Sequence, residues 1–156
     1  MKRPLAVLLC IVSLVATRGF GSTDSPNLME LQNGWRMSSA DNVSVDDAQV
    51  SLPTLEVSKW YVVQRMPATV LQILEDNGVY QDLYYGTNLA TPKDLWKQDW
   101  WYRTTFTAPA GREVYSLIFK GINYRADIWL NGHKVATRSQ AVGMYNEFEF
   151  NVTEFI

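Results

Sequence analysis

The chain has 156 residues, 47% of them hydrophobic and 19% charged, with a formal net charge of −2. These figures fit one domain with a sizeable core and exclude a disordered chain. Mild acidity without a basic stripe excludes nucleic acid as a partner, and a single cysteine, Cys10, excludes a disulfide framework.

The chain opens on a short basic head, Lys2 and Arg3. An apolar run over residues 5–16 follows, interrupted by Cys10 and Ser13, and then a mostly small and polar stretch over 17–22. That is the layout of a secretory signal peptide, and the run is shorter than the roughly 20 residues of a membrane span. Residues 1–21 are therefore expected to be removed, with Ala16, Gly19 and Gly21 all open as small residues near the cut. The expected location is secreted or periplasmic, with no membrane partner. A flexible leader over 22–28 and a domain over 29–156 complete the expected organisation.

Residues 29–37 predict a first strand region around Trp35, with Asn33-Gly34 as a turn. Residues 38–51 are polar and acidic and predict a loop, which holds the sequon Asn42-Val43-Ser44; a second sequon starts at Asn151. A short strand over 60–66 ends at Pro67. Thr69 and Gln72 have capping-box spacing, which predicts a helix with Val70, Leu71, Ile73 and Leu74 inward and Asn77-Gly78 as its stop. Residues 79–97 predict a long loop rich in Tyr, Asp, Asn and Gly.

The rest alternates with period two. Residues 99–107 and 113–120 predict strands, the latter with Tyr115, Leu117 and Phe119 on one face. Residues 124–130 place Ala126, Ile128 and Leu130 on one face and Arg125, Asp127 and Trp129 on the other. Asn131-Gly132 predicts a tight hairpin, because both turn positions need positive φ. Residues 147–152 place Phe148, Phe150 and Val152 inward. Short alternating strands with regular turn signals predict an all-β fold, an antiparallel sandwich or jelly roll with one short helix.

At this point three segments resemble the sugar-binding-domain region of family 2 glycoside hydrolases. The first runs from Trp60 to Leu74 and holds Met66-Pro67-Ala68-Thr69-Val70-Leu71, where the family commonly has Pro-Gly-Thr-Val. The second is Asp82-Leu83-Tyr84-Tyr85-Gly86-Thr87-Asn88 followed by Asp99-Trp100-Trp101-Tyr102-Arg103. The third runs from Leu117 to Gly121, through Tyr124-Arg125-Ala126-Asp127-Ile128-Trp129-Leu130-Asn131-Gly132, to Gly143 and residues 148–153. The middle pieces look most like the β-mannosidase and exo-β-glucosaminidase side of the family. The resemblance implies a galactose-binding-like sandwich that stands ahead of an immunoglobulin-like domain and a catalytic barrel with two Glu residues. It also implies a further strand of Asn-x-Leu-x-Val type after residue 156, so the sandwich is expected to lack its last strand and the chain to be a fragment, inactive alone. Ala68 stands where the family has Gly, so φ is expected to stay negative there.

Candidate chemistry is sparse. Retaining glycosidases need two carboxylates about 5 Å apart. Asn146-Glu147 imitates the family's Asn-Glu pair, but Glu147 and Glu149 alternate with Phe148 and Phe150 and belong on a solvent face. No catalytic residue is expected in this chain. His133, the only histidine, falls at a hairpin tip, so neither a metal nor another cofactor is expected. For carbohydrate contact the candidates are Tyr84, Tyr85, Asn88, Trp100 and Asp127. The aromatic rings offer stacking faces for a pyranose, and the amide and carboxylate offer hydrogen bonds. Anchoring of the loop by those same rings, and an ion pair between Asp127 and Arg125, are the plain structural alternatives. Two functions stay open: a non-catalytic domain of a secreted glycosidase that acts on β-mannosides or β-glucosaminides, and a stand-alone carbohydrate-binding module.

Overall fold

The computed structural model describes residues 12–17 and 27–156. Most of the signal-like stretch and of the leader therefore lies outside the described residues. The described chain is mostly strands, all antiparallel, in three sheets. The first holds β1 (Val12–Thr17), β2 (Asn27–Glu30), β6 (Val114–Phe119) and β9 (Phe148–Asn151), in the order β2-β1-β6-β9. The second holds β3 (Arg36–Ser39), β4 (Tyr61–Val62) and β5 (Trp100–Arg103), in the order β4-β3-β5. The third is the hairpin of β7 (Ile128–Leu130) and β8 (His133–Ala136).

Alternation explains which side chains go inward. Tyr115, Leu117 and Phe119 of β6 are buried, as their spacing predicts, and they meet Leu14, Trp35, Met37, Ile128 and Val152 in one cluster. Phe150 of β9 meets Phe119 edge-on at 6.2 Å between ring centroids, a favoured aromatic geometry. The β7–β8 turn takes positive φ at both Asn131 and Gly132, as a type I′ turn requires. Only glycine or a short polar residue accepts that backbone cheaply.

Helix α2 (Val70–Asp76) starts where Thr69 Oγ1 accepts from the Gln72 N–H at 3.1 Å. Val70, Ile73 and Leu74 are buried, whereas Leu71 is only half-buried. The Gln72 amide donates forward to Asp76 rather than back to Thr69, so the predicted box closes on one side only. Asn77, read as a stop, also donates to the Val62 carbonyl and accepts from the Val62 N–H, which ties the helix end to β4. Ala68 is not among the positive-φ residues, as expected from its Cβ.

Several expectations need correction. The single strand region over 29–37 is split: the expected turn at Asn33-Gly34, with Gly34 at φ +78, carries the chain from β2 in one sheet to β3 in another. A second helix, α1 (Asp47–Val50), lies in the stretch read as a loop, with Asp46 and Gln49 forming its capping box and Val50 buried beneath it. Its single turn is too short to show an apolar stripe in sequence. The 124–130 strand is regular only from Ile128, with a bridge at Arg125–Val142 before it. Within the signal-like stretch, Val12–Thr17 forms a strand paired on both sides, and Leu14 is fully buried.

Candidate functional site

Two places in the molecule bring together residues singled out from sequence. The first is the loop between α2 and β5. Leu83 is buried and anchors it. Asp82 takes a left-handed φ of 48°, and the Asn88 side-chain amide donates to the Asp82 carbonyl at 3.1 Å, closing the turn on itself. Tyr84 and Tyr85 stand out from that turn at 81% and 79% exposure. Their rings are free to stack on a ligand, while the Asn88 amide already has a partner. Trp96 is exposed further along, with Lys97 over its ring at 5.0 Å.

The second place is a cleft of about 430 Å³. Its lining includes the continuous run 99–106, which contains β5, and the run 126–131, which contains β7. Leu31, Trp35, Leu117 and Phe119 supply an apolar floor. Trp100 and Tyr102 pack against the core cluster, and the Trp100 indole N–H donates to the Leu95 carbonyl at 3.1 Å. Trp100 therefore anchors the preceding loop and lines the cleft at once.

Asp127 sits in the same cleft with a partner that sequence spacing misses. Arg138 is that partner: its guanidinium reaches Asp127 Oδ2 at 2.9 Å and its backbone N–H donates to Oδ1 at 2.9 Å. The reason is the hairpin, which carries residue 138 back beside residue 127 eleven positions later. Lys134 adds a longer contact at 3.7 Å, and Arg138 also reaches Asp99 at 3.6 Å. Burial pushes the Asp127 carboxyl up, but the Arg138 N–H, the guanidinium and Lys134 together hold it below the ordinary carboxylate value. The Asp127–Arg138–Asp99 bridge is thus a structural clamp across the cleft end.

Arg103 is the residue whose role sequence reasoning missed. It is buried in β5 and donates from Nε to the Val50 carbonyl at 2.9 Å and from an NH2 nitrogen to the Leu52 carbonyl at 2.7 Å. Those two carbonyls lie at and just after the end of α1, so the guanidinium fork caps that turn from another element. Its only sequence signal is a cation in an aromatic strand, on the face opposite Trp100 and Tyr102. His133 is exposed and stacks on Phe155 at 4.9 Å, and Glu147 and Glu149 are exposed as expected. Among the described residues no group of three or more His, Cys, Asp or Glu side chains is placed to hold a metal ion.

Comparison with known proteins fits this organisation. Residues 35–156 match the model of the glycosyl hydrolase 2 galactose-binding domain-like family. The chain is 37% identical over 121 residues to an exo-β-D-glucosaminidase of Amycolatopsis orientalis, covering 77% of this chain and 12% of that protein. It is 29% identical over 161 residues to an exo-β-D-glucosaminidase of Hypocrea jecorina, covering 98% of this chain and 18% of that one. A mannosylglycoprotein endo-β-mannosidase of Lilium longiflorum is 25% identical over 134 residues, covering 81% of this chain and 14% of its own. The chain thus spans less than a fifth of the length of these relatives. No solved structure gives a significant match. The chain belongs to the glycosyl hydrolase 2 galactose-binding domain-like family.

Proposed function

We propose that this chain is the non-catalytic N-terminal domain of a secreted glycoside hydrolase whose full-length form cleaves β-linked glucosaminides or mannosides. One observation carries the reading: the match over residues 35–156 is to a galactose-binding-like domain, and the relatives that share it are far longer enzymes acting on those sugars. The three sheets are read as parts of a two-layer jelly-roll sandwich enclosing the core cluster. Its role is to buttress an active site carried by other domains, with Tyr84 and Tyr85 as the rings free to meet a sugar at its rim.

The chemistry of the domain itself supports the non-catalytic role. A glycosidase acid must be protonated at working pH. Of the carboxylates that line the cleft, Asp47, Asp99 and Asp127, the last two are bridged by Arg138, and Asp127 is held below the ordinary carboxylate value. Asp127 so held has no proton to give at neutral pH. Export through residues 1–21 belongs to the same reading, and the mature N-terminus of protein collected outside the cell tests it.

The deciding experiment for the enzyme reading is the gene sequence after the codon for Ile156, followed by assay of the encoded protein on a β-glucosaminide and a β-mannoside. A continuing frame that encodes a barrel, with sugar release only from the longer protein, is the expected result. A stop codon with no barrel remnant, joined to saturable binding of β-linked oligosaccharides by the 156-residue chain, overturns it for a stand-alone carbohydrate-binding module.

A further inference from the structure

Two segments carry the Asn-x-Ser/Thr pattern, Asn42-Val43-Ser44 and Asn151-Val152-Thr153, and the fold treats them oppositely. Each has Val in the middle, so neither is blocked by Pro. A transferase that joins sugar to Asn works on an exposed loop, and it must reach the amide nitrogen and the hydroxyl two residues on together. What each segment gives up to be drawn out therefore decides which one is used.

The Asn42 segment gives up little. Asn42 ends the short 3-10 turn Ala40–Asn42, which is tied to the rest of the fold at its start, where the Ala40 N–H donates to the Asp99 carbonyl at 2.9 Å. The Val43 N–H donates to the Ala40 carbonyl at 3.1 Å, a bond within the turn itself, and Val43 is extended (φ −111, ψ 113). Asn42, Ser44 and Val45 are exposed. Neither the Asn42 amide nor the Ser44 hydroxyl has a hydrogen-bond partner among the described residues. The Asn151 segment gives up part of the core. Asn151 closes β9 and pairs with Ser116 of β6. Its side-chain oxygen accepts from the Thr153 N–H at 3.0 Å, and the Thr153 hydroxyl accepts from the Tyr115 N–H at 3.0 Å. Val152 between them is fully buried, and its N–H donates to the Tyr115 carbonyl at 2.8 Å. Asn151 is exposed, yet its neighbour and the hydroxyl that must be presented with it are engaged.

We infer that Asn42 is a site of N-linked glycosylation, and that the fold withholds Asn151 once β9 has paired with β6. The donor is an oligosaccharide carried on a polyprenyl pyrophosphate. The Asn42 amide nitrogen forms a bond to the anomeric carbon of the first sugar. The bond from that carbon to the pyrophosphate oxygen breaks, the lipid pyrophosphate leaves, and the nitrogen gives up one proton. Nothing is oxidised or reduced. The inference rests on the export reading for its setting in the cell, whereas the choice between the two Asn residues rests on the fold alone.

The test gives the folded full chain, made in bacteria without sugar, to a purified oligosaccharyltransferase and its lipid-linked donor. Peptide mass spectrometry reads the occupancy of each Asn. Asn42 is expected to fill about tenfold faster than Asn151 or more, while a protease digest of the same chain accepts at both. Ser44→Ala is expected to leave Asn42 bare, and Asn151→Gln to change nothing at Asn42. A bare Asn42, or equal filling of both sites in the folded chain, overturns the inference. A digest that accepts at Asn42 alone places the choice in local sequence and overturns it too. Export is separated by secretion from yeast, once with the chain's own first residues and once behind a yeast leader. Sugar on Asn42 behind the yeast leader only supports the inference and sinks the export reading. A bare Asn42 on chain secreted behind the yeast leader overturns the inference whatever its own first residues do.

Discussion

The two sides of this molecule solve the same problem unequally. In the four-stranded sheet both inner strands, β1 and β6, are paired on each side, and alternate residues of β6 lie flat on the core. The remaining five strands lie in two separate pieces, and residues of both β5 and β7 line one cleft. The strands on both sides alternate equally well in sequence. The difference teaches that alternation reports which face of a strand is buried, and says nothing of which strand lies beside it. Burial comes from the residue itself, whereas pairing comes from a neighbour that is distant in sequence.

The most drastic way to break the comparison is to open the closed side. Removal of residues 1–21 takes away β1, the strand that sits between β2 and β6. The shortened chain, which is also the form that export would leave, is expected on its own to bind a hydrophobic dye and to melt broadly, since the edge of β6 and the space under Leu14 are uncovered unless another segment covers them. Differential scanning calorimetry beside dye fluorescence checks this. A sharp two-state melt without dye binding shows instead that another strand has closed on β6.

A single side chain gives the next largest effect. Phe119 belongs to β6, is buried, meets Phe150 edge-on, and forms part of the cleft floor. Phe119→Ala is expected to cost about 3–5 kcal/mol by urea unfolding. Leu130 of β7 is only partly buried, so Leu130→Ala should cost well under half as much. Equal costs would mean that the cleft wall is as tightly packed as the closed sheet.

Arg103 sharpens the comparison because it ties β5 to the end of α1 through side-chain bonds in addition to its pairing with β3. Its guanidinium carries the carbonyls of Val50 and Leu52. Arg103→Met keeps the buried stem and leaves both acceptors without that donor, at an expected cost of about 1.5–3 kcal/mol. Arg103→Lys is expected to recover only part of it, since an ammonium lacks the fork geometry. Full recovery by Lys in thermal unfolding would reduce the role of Arg103 to charge alone.

What could be read in advance follows the range of each signal. Helix α2, the Asn131-Gly132 turn and the inward faces of β6 and β9 are written in residues a few positions apart, and they stand where expected. The Arg138 partner of Asp127, the Arg103 cap and the division of β2 from β3 depend on contacts between distant segments. Period two puts Asp127 and Arg125 on one face, but it cannot show that the hairpin also brings the Arg138 guanidinium to Asp127. The candidate sugar residues divide in the same way. Tyr84 and Tyr85 are exposed as their loop setting suggests, while Trp100 and Asp127 are engaged by groups that spacing does not reveal.

Asp127 also provides the finest probe of the open side. Its carboxyl is held below the ordinary value because the stabilising contacts with Arg138 and Lys134 outweigh its burial. A carboxyl lowered in the folded state adds stability that is fully present above its unfolded value of 3.8, and that stability is lost as pH falls through the folded value. Asp127→Asn keeps an acceptor for the Arg138 N–H but removes the charge, and is expected to cost about 1 kcal/mol at neutral pH. The gap between the two proteins should narrow steadily on acidification and close once Asp127 itself is protonated. Urea unfolding over a series of acidic pH values measures it. A gap independent of pH would mean that the lost shape of the carboxylate, and not its charge, holds the end of the cleft together.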